Sequence, residues 1–223
     1  MGSELVAGID AARTGWVVCV VELGAKNASV EFLTGATLGD VWDDEWAVVG
    51  IDMPIGLPTG DRRAADREAR AILGPRSSTL FSTPDHATLA ATDYEDALAR
   101  SRAACGRGLS KQAFHLLPRV REVRGWLGGP TDFVHEVHPE TSFTAMNDGV
   151  PLARKTSAVG RTQRAGLLTA WMPMCSSWAT GLSIDALDAA AAAWTATRIV
   201  AGEHRILGDN GVDPDGHRLS MAV

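Results

Sequence analysis

The sequence predicts an α/β fold in which a mixed sheet carries helices on its faces. Three short apolar runs near the N-terminus are separated by turns, which indicates an antiparallel meander. Two later apolar runs are separated by helical patterns, which indicates strands joined through helices. A length of 223 residues, with 45% hydrophobic and 22% charged residues, is typical of a globular protein.

The strands are predicted from short runs rich in apolar and β-branched residues. They lie at residues 5–9, 16–21, 29–33, 47–51 and 132–138. The first strand ends at Asp10 and the fourth ends at Asp52. Thr14 and Gly15 mark the turn of the first hairpin.

The helices are predicted from apolar stripes of helical period and from the residues that end them. They lie at residues 38–46, 61–73, 94–104, 116–127, 158–172 and 184–200, with Pro118 as a start or a kink. The polar tail from Gly202 has no predicted structure. We therefore expect one domain over residues 1–223, with a helical insertion at about 59–130.

Charge and composition exclude several classes of protein. The net charge of −6 argues against a protein that coats nucleic acid, although residues 61–125 are basic, with 12 Lys and Arg against 8 Asp and Glu. No apolar run reaches the roughly 18 to 20 residues of a membrane-spanning helix, and we expect a soluble, cytoplasmic protein. Cys19, Cys105 and Cys175 are too few and too widely spaced for a disulfide framework or a zinc site.

Acidic residues stand where the predicted elements end. Asp10 and Asp52 end two strands, Glu136 lies in the fifth, and Asp185 and Asp188 share a face of the last helix. Ligands gather at the carboxyl ends of strands in such sheets. Like charges in one place repel each other unless a cation lies between them, so the cluster predicts a site for a divalent metal.

Each acid also has a structural interpretation. Asp10 and Asp52 are each able to cap a turn, and Asp185 suits the first turn of a helix that follows Ser183. The run from His135 to Glu140 does not match a helical zinc motif, because its histidines are three residues apart in a β-rich segment. We expect either Glu136 or Glu140 to be a further oxygen ligand beside the aspartates, with His138 either as a partner of that ligand or as a strand residue with satisfied hydrogen bonds.

Five basic residues are candidates for binding phosphate groups of a substrate. Arg63, Arg67 and Arg70 are predicted to share a helix face, and Lys155 and Arg164 lie in a second polar stretch. Surface salt bridges are the alternative role for these residues. Neither a Walker A pattern nor a G-x-G-x-x-G pattern is present, so the sequence gives no sign of a phosphate-cradling loop.

Five strings of the sequence together resemble the domain of unknown function 429 family, a predicted RNase H-like nuclease family. They are Gly8-Ile9-Asp10-Ala11-Ala12 with Gly15-Trp16, Gly50-Ile51-Asp52-Met53-Pro54-Ile55-Gly56-Leu57-Pro58, Arg76-Ser77-Ser78, Glu136-Val137-His138-Pro139-Glu140-Thr141-Ser142-Phe143, and Asp185-Ala186-Leu187-Asp188-Ala189. The matches run from residue 8 to about 195.

The resemblance implies an RNase H-like sheet of order 3-2-1-4-5 in which the second strand is antiparallel, with helices on both faces. The chain is also distantly similar to Holliday-junction resolvases of the RuvC type. That similarity implies that Asp10, Asp52 and Asp188 bind Mg²⁺ or Mn²⁺, with Asp185 as a neighbour. Resolvases commonly have Glu at the position of Asp52, whose side chain is one methylene shorter.

Three functions are consistent with these residues. The first is a metal-dependent nuclease that hydrolyses phosphodiester bonds of DNA or RNA by a two-metal-ion mechanism. The second is a noncatalytic RNase H-like binding module whose acids make internal hydrogen bonds. The third is a phosphate-ligand enzyme or ATPase, which is disfavoured because such proteins pair two RNase H-like domains and this chain has room for one.

Overall fold

A five-stranded mixed sheet forms the centre of the molecule, as the sequence predicts. The computed structural model describes residues 4–24, 29–173 and 179–223, so Cys175 lies outside the described residues. The sheet has the order β3-β2-β1-β4-β5. Its strands are β1 (Glu4–Ala12), β2 (Gly15–Leu23), β3 (Ser29–Gly35), β4 (Trp46–Ile51) and β5 (Val134–Glu136). The predicted fold class and strand order are confirmed.

The pairing of the strands sets which side chains share a face. β1 is antiparallel to β2 and parallel to β4, and β4 is parallel to β5. Ile9 pairs with Ile51, which in turn pairs with Glu136. Paired residues point to the same face and the next residue points to the other. Asp10 and Asp52 therefore lie on one face of the sheet, while Glu136 points to the opposite face.

Helices cover both faces of this sheet. They are α1 (Ala64–Leu73), α2 (Tyr94–Cys105), α3 (Lys111–Leu127), α4 (Pro139–Met146), α5 (Ala158–Trp171) and α6 (Ile184–Ala201). On one face α5 and α6 pack against β1 and β2 through a cluster that includes Val6, Leu168 and Leu187. On the other face Val120 and Val123 of α3 pack against β1 and β4. Among the described residues, no helix is long and apolar enough to cross a membrane.

The alanine-rich helix α6 lies unusually close to the sheet. Gly8 and Gly50 are paired on β1 and β4 beneath it. A Cβ atom at Gly8 would lie 2.0 Å from the backbone nitrogen of Ala193, and one at Gly50 would lie 2.6 Å from the carbonyl oxygen of Ala192. Backbone packs on backbone here because neither element carries a large side chain at the contact. This packing brings Asp188 to the carboxyl ends of β1 and β4.

Several predicted boundaries are wrong for local reasons. Residues 38–46 contain only a short 3₁₀ turn, Leu38–Asp40, in place of a helix. The helix expected at 61–73 begins at Ala64. The one expected at 116 begins at Lys111, because the Ser110 hydroxyl accepts a hydrogen bond from the Ala113 amide, and Pro118 therefore lies inside the helix.

The segment after β5 and the C-terminal tail are structured, which the sequence analysis did not predict. The fifth strand is only three residues long, and α4 follows it directly. The tail forms a small two-stranded sheet from β6 (Ile206–Leu207) and β7 (Met221–Ala222). Ala222 also bridges to Val137 beyond the end of β5. The tail therefore packs on the central domain instead of extending into solvent.

Candidate active site

Three aspartates meet at the carboxyl ends of β1 and β4. Asp10 lies near the carboxyl end of β1, and Asp52 directly follows β4. Asp188 projects from the second turn of α6. Asp10 and Asp188 are almost fully buried. The Asp52 amide donates a hydrogen bond of 2.8 Å to the Ile9 carbonyl, which keeps the two strand ends in register. The structure thus brings together the three residues predicted to bind a metal.

The buried acids raise one another's pKa values. Burial raises the pKa of Asp52 to about 7, and the neighbouring Asp188 adds to that rise. The pKa of Asp10 is held well above its ordinary value by burial, then by the charges of Asp52 and Asp188. Burial also raises the pKa of Asp188, while Lys155 opposes the rise. Such mutual repulsion is typical of carboxylates that bind a cation or share a proton.

Lys155 supplies a positive charge to this cluster. Its Nζ donates a hydrogen bond of 2.5 Å to Asp188 Oδ2, and its ammonium also opposes the pKa rises of Asp10 and Asp52. The other oxygen of Asp188, Oδ1, is buried and makes no hydrogen bond to any described residue. One carboxylate oxygen therefore has an internal cation, and the other is left without a donor.

A buried ion pair holds the segment that carries Lys155. Arg164 is fully buried, and both oxygens of Glu140 accept hydrogen bonds from its Nη2, at 2.6 and 2.7 Å. Its Nη1 donates to the carbonyls of Ala153 and Gly160, on either side of Lys155. The guanidinium of Arg164 is thus enclosed by protein, which argues against the substrate-binding role predicted for it. Its position suits the support of Lys155.

Glu136 is engaged by Arg63 on the opposite face of the sheet. Arg63 donates 2.6 and 2.7 Å hydrogen bonds to the two carboxylate oxygens, and it also pairs with Asp66 at 2.7 Å. The Ile55 amide donates to Glu136 as well, at 3.0 Å. Both Arg63 and Glu136 are buried. Both residues also line the pocket in front of Asp10 and Asp52, but their contacts with each other argue against a substrate-binding role for Arg63 and against Glu136 as a free acid of the site.

The other predicted residues lie around the site or away from it. Asp185 is half-buried in the first turn of α6 and contributes to the raised pKa of Asp10. Arg67 is exposed and donates to the carbonyl of Arg62. Arg70 donates to the Ser77 carbonyl at 3.0 Å. The shared face of three arginines does not form, because Arg63 precedes α1 and turns inward.

A pocket of about 140 Å³ opens in front of Asp10 and Asp52. Its remaining wall is largely apolar and comes from segments distant in sequence, notably Leu80, Phe81, Leu116 and Met221. The sequence analysis missed these residues, because nothing local in the sequence marks them as neighbours of the acids. His138 also lines the pocket, and burial lowers its pKa to about 4, so the ring is neutral at pH 7.

The donors of the site suit a hard cation, but their present arrangement is incomplete. Carboxylate oxygens are the ligands that Mg²⁺ and Mn²⁺ prefer, and Asp188 Oδ1 has no hydrogen-bond partner among the described residues. In the part of the chain that the structure describes, however, no three His, Cys, Asp or Glu side chains are grouped so that they could hold a metal ion. The ammonium of Lys155 stands on Asp188 instead.

The family comparison agrees with the sequence resemblance. No curated protein matches the chain. A solved structure described as "Thermus thermophilus RuvC structure" is 15% identical to it, with 89% of this chain and 97% of that chain covered and a TM-score of 0.35. Residues 8–211 match the family described as "Protein of unknown function (DUF429)". This match extends over most of the chain, which therefore belongs to the DUF429 family.

Proposed function

We propose that this protein is a metal-dependent nuclease that hydrolyses phosphodiester bonds. The observation that supports the proposal best is the cluster of Asp10, Asp52 and Asp188, whose pKa values are all raised. Buried carboxylates that repel each other lower the stability of the fold unless a ligand compensates for them. A pocket opens in front of Asp10 and Asp52, so a ligand has access to these two acids.

Asp10, Asp52 and Asp188 would hold the Mg²⁺ or Mn²⁺ ions. When bound, such ions activate a water molecule and stabilise the leaving oxygen in phosphodiester hydrolysis. The three carboxyl groups are held close together, because α6 packs directly on Gly8 and Gly50.

A second candidate is a noncatalytic binding module. The ion pair between Lys155 and Asp188 favours this alternative, since it already gives one acid an internal partner. In that case Lys155 is a permanent part of the fold. In the nuclease, Lys155 must release Asp188 when the metal binds.

Cleavage by matched variants distinguishes these candidates. We expect the purified protein to cleave fluorescent single-stranded, duplex or branched DNA or RNA with Mn²⁺ and to be inactive with EDTA. Asp10→Asn should abolish cleavage, because the amide keeps the shape of the side chain and removes its charge. Asp61→Asn, a change at an exposed acid, is the control. Cleavage that survives Asp10→Asn does not depend on the acidic cluster, and that result would overturn the proposal.

A further inference from the structure

We call the pocket in front of Asp10 and Asp52 the acidic pocket. A second cavity, of about 160 Å³, lies next to it. The segment from Leu80 to Pro84 separates the two: Leu80 and Phe81 line the acidic pocket, Ser82 and Pro84 line the second cavity, and Thr83 lines both. The wall of the second cavity carries Arg62 and Arg107. We call it the arginine cavity.

Both arginines of this cavity have guanidinium N–H groups that make no hydrogen bond to a described residue. The side chain of Arg62 is exposed and makes no hydrogen bond or ion pair with any described residue. Arg107 donates one hydrogen bond, from Nη2 to the Gly60 carbonyl at 2.6 Å, which fixes its position and leaves its Nη1 and Nε available. Arginine in such a setting binds phosphate oxygens through several parallel hydrogen bonds.

The acid of the same wall does not neutralise these arginines by direct contact. Asp85 is buried, and its two oxygens accept hydrogen bonds from the backbone amides of Gly60 and Ala87, at 2.7 and 2.9 Å. The hydroxyl-bearing Ser82, Thr83 and Ser110 complete the polar part of the wall. The accessible surface of the cavity is therefore positive, whereas that of the acidic pocket is negative.

We propose that the arginine cavity binds a phosphate of a single-stranded nucleic acid whose neighbouring phosphodiester lies at the acidic pocket. The inference rests on the proposed nuclease function. The segment from Leu80 to Pro84 forms a ridge between the two cavities. A ligand that crosses this ridge needs one anionic group for Arg62 and Arg107 and a second anionic group for the cations bound by the acids. A chain of phosphodiesters has this repeating character, whereas a free phosphate does not.

The acidic pocket favours an unpaired strand over a duplex. A cavity of about 150 Å³ holds one benzene-sized ring, so the pocket of about 140 Å³ is too small for a base pair. Phe81 stands on the ridge with 46% of its surface exposed. An exposed aromatic ring beside a basic groove is the arrangement on which unpaired bases stack.

Binding of fluorescein-labelled single-stranded DNA and RNA oligonucleotides tests the inference, with anisotropy measured in Ca²⁺ at several salt concentrations. Arg62→Glu is the main variant, because the side chain of Arg62 makes no hydrogen bond or ion pair with any described residue, so the change should not disturb the fold. Arg62→Ala with Arg107→Ala is the second variant. Arg198→Glu is the charge-matched control, since Arg198 lies ten residues beyond Asp188 on α6, about 15 Å along the helix axis. Because Arg198 contacts Glu203 and Trp194, the melting temperature of this variant is measured as well.

We expect both arginine-cavity variants to bind at least about tenfold more weakly than the wild type, because charge-assisted hydrogen bonds to a phosphate are lost. For each lost phosphate contact, the slope of log affinity against log salt should fall by about 0.7. Arg198→Glu should bind like the wild type. Unchanged affinity and slope in Arg62→Glu would overturn the inference, as would a wild-type protein that binds no oligonucleotide.

The outcomes also separate this inference from the proposed function. If Arg62→Glu binds oligonucleotides normally while Asp10→Asn loses cleavage, the proposal that the arginine cavity binds phosphate is wrong, and the proposed nuclease function is supported. If Arg62→Glu binds weakly but the wild type never cleaves with Mn²⁺, the phosphate site stands and the nuclease fails. Binding to duplex as tight as to single strands would overturn the preference for unpaired nucleic acid.

Discussion

Replacement of Asp52 by Asn should make the metal-free protein more stable at pH 8. The pKa of Asp52 rises from 3.8 to about 7 in the folded state, first through burial and then through the charge of Asp188. The folded protein therefore holds its proton more tightly than the unfolded chain does. Between about pH 4 and 7 the unfolded state releases this proton first, so stability falls as the pH rises through that window.

The size of the effect follows from the shift. At 1.36 kcal/mol per pKa unit, a rise from 3.8 to about 7 corresponds to at most about 4 kcal/mol of lost stability at pH 8. The side chain of Asp52 is partly exposed, and solvent screening reduces this value to about 1–3 kcal/mol. An asparagine at this position has no charge to bury.

Urea unfolding followed by tryptophan fluorescence measures this difference. Wild type and Asp52→Asn are unfolded at pH 5 and pH 8 in EDTA, with Asp61→Asn as the control for a change at an exposed acid. We expect the wild type to lose more stability than Asp52→Asn between the two pH values. Identical pH dependence in the two proteins would refute the reasoning, because Asp52 would then not be a buried, repelled carboxylate.

Three further changes test the packing and the charges around the site. Gly8→Ala should destabilise the fold by about 3 kcal/mol or more, because the added Cβ would lie 2.0 Å from the backbone of α6. Gly166→Ala is the control, since nothing lies within 4 Å of a Cβ there, and its melting temperature should not fall. Lys155→Met should increase the rise in melting temperature caused by Mn²⁺, since no ammonium then competes for the acids; an equal or smaller rise would show that Lys155 does not occupy the cation position. Glu140→Gln leaves Arg164 buried without its counter-charge and should cost about 3–5 kcal/mol in urea unfolding, and a loss below 1 kcal/mol would contradict the pairing.

The sequence was sufficient for the elements that are specified locally. Asp10 and Asp52 each follow a short apolar run, and such a pattern identifies the end of a buried strand without any knowledge of its neighbours. Asp188 interrupts the apolar stripe of α6, and this pattern predicts a buried charge that needs a partner. These three residues do meet in the folded protein.

Contacts between distant segments were not predictable in this way. Arg63 was expected beside Arg67 and Arg70 on one helix, but its partner Glu136 is 73 residues further along the chain. Arg124 likewise pairs with Asp213, 89 residues away. No local pattern distinguishes an arginine that reaches such a partner from one that faces solvent, since both have the same neighbours in sequence.

Two local signals were present and were overlooked. Pro139 and Glu140 stand at the first positions of α4, where proline and an acid favour the start of a helix. The tail was interpreted as unstructured because it is polar, but Asp213 accepts hydrogen bonds from the amides of Asp215 and His217 and closes a turn. Polar composition alone therefore does not separate a disordered tail from a chain of hydrogen-bonded turns.

The packing of α6 and the charge of the acidic cluster oppose each other. Gly8 and Gly50 let the helix approach the sheet closely, and this approach places Asp188 next to Asp10 and Asp52. The close backbone contact stabilises the fold, whereas the charges it brings together destabilise it. Because an amide at any of these positions would remove the repulsion and keep the shape, three acids are not needed for folding. Their arrangement is best explained by a cationic partner, which is Lys155 in the metal-free protein and, in our proposal, Mg²⁺ or Mn²⁺ during catalysis.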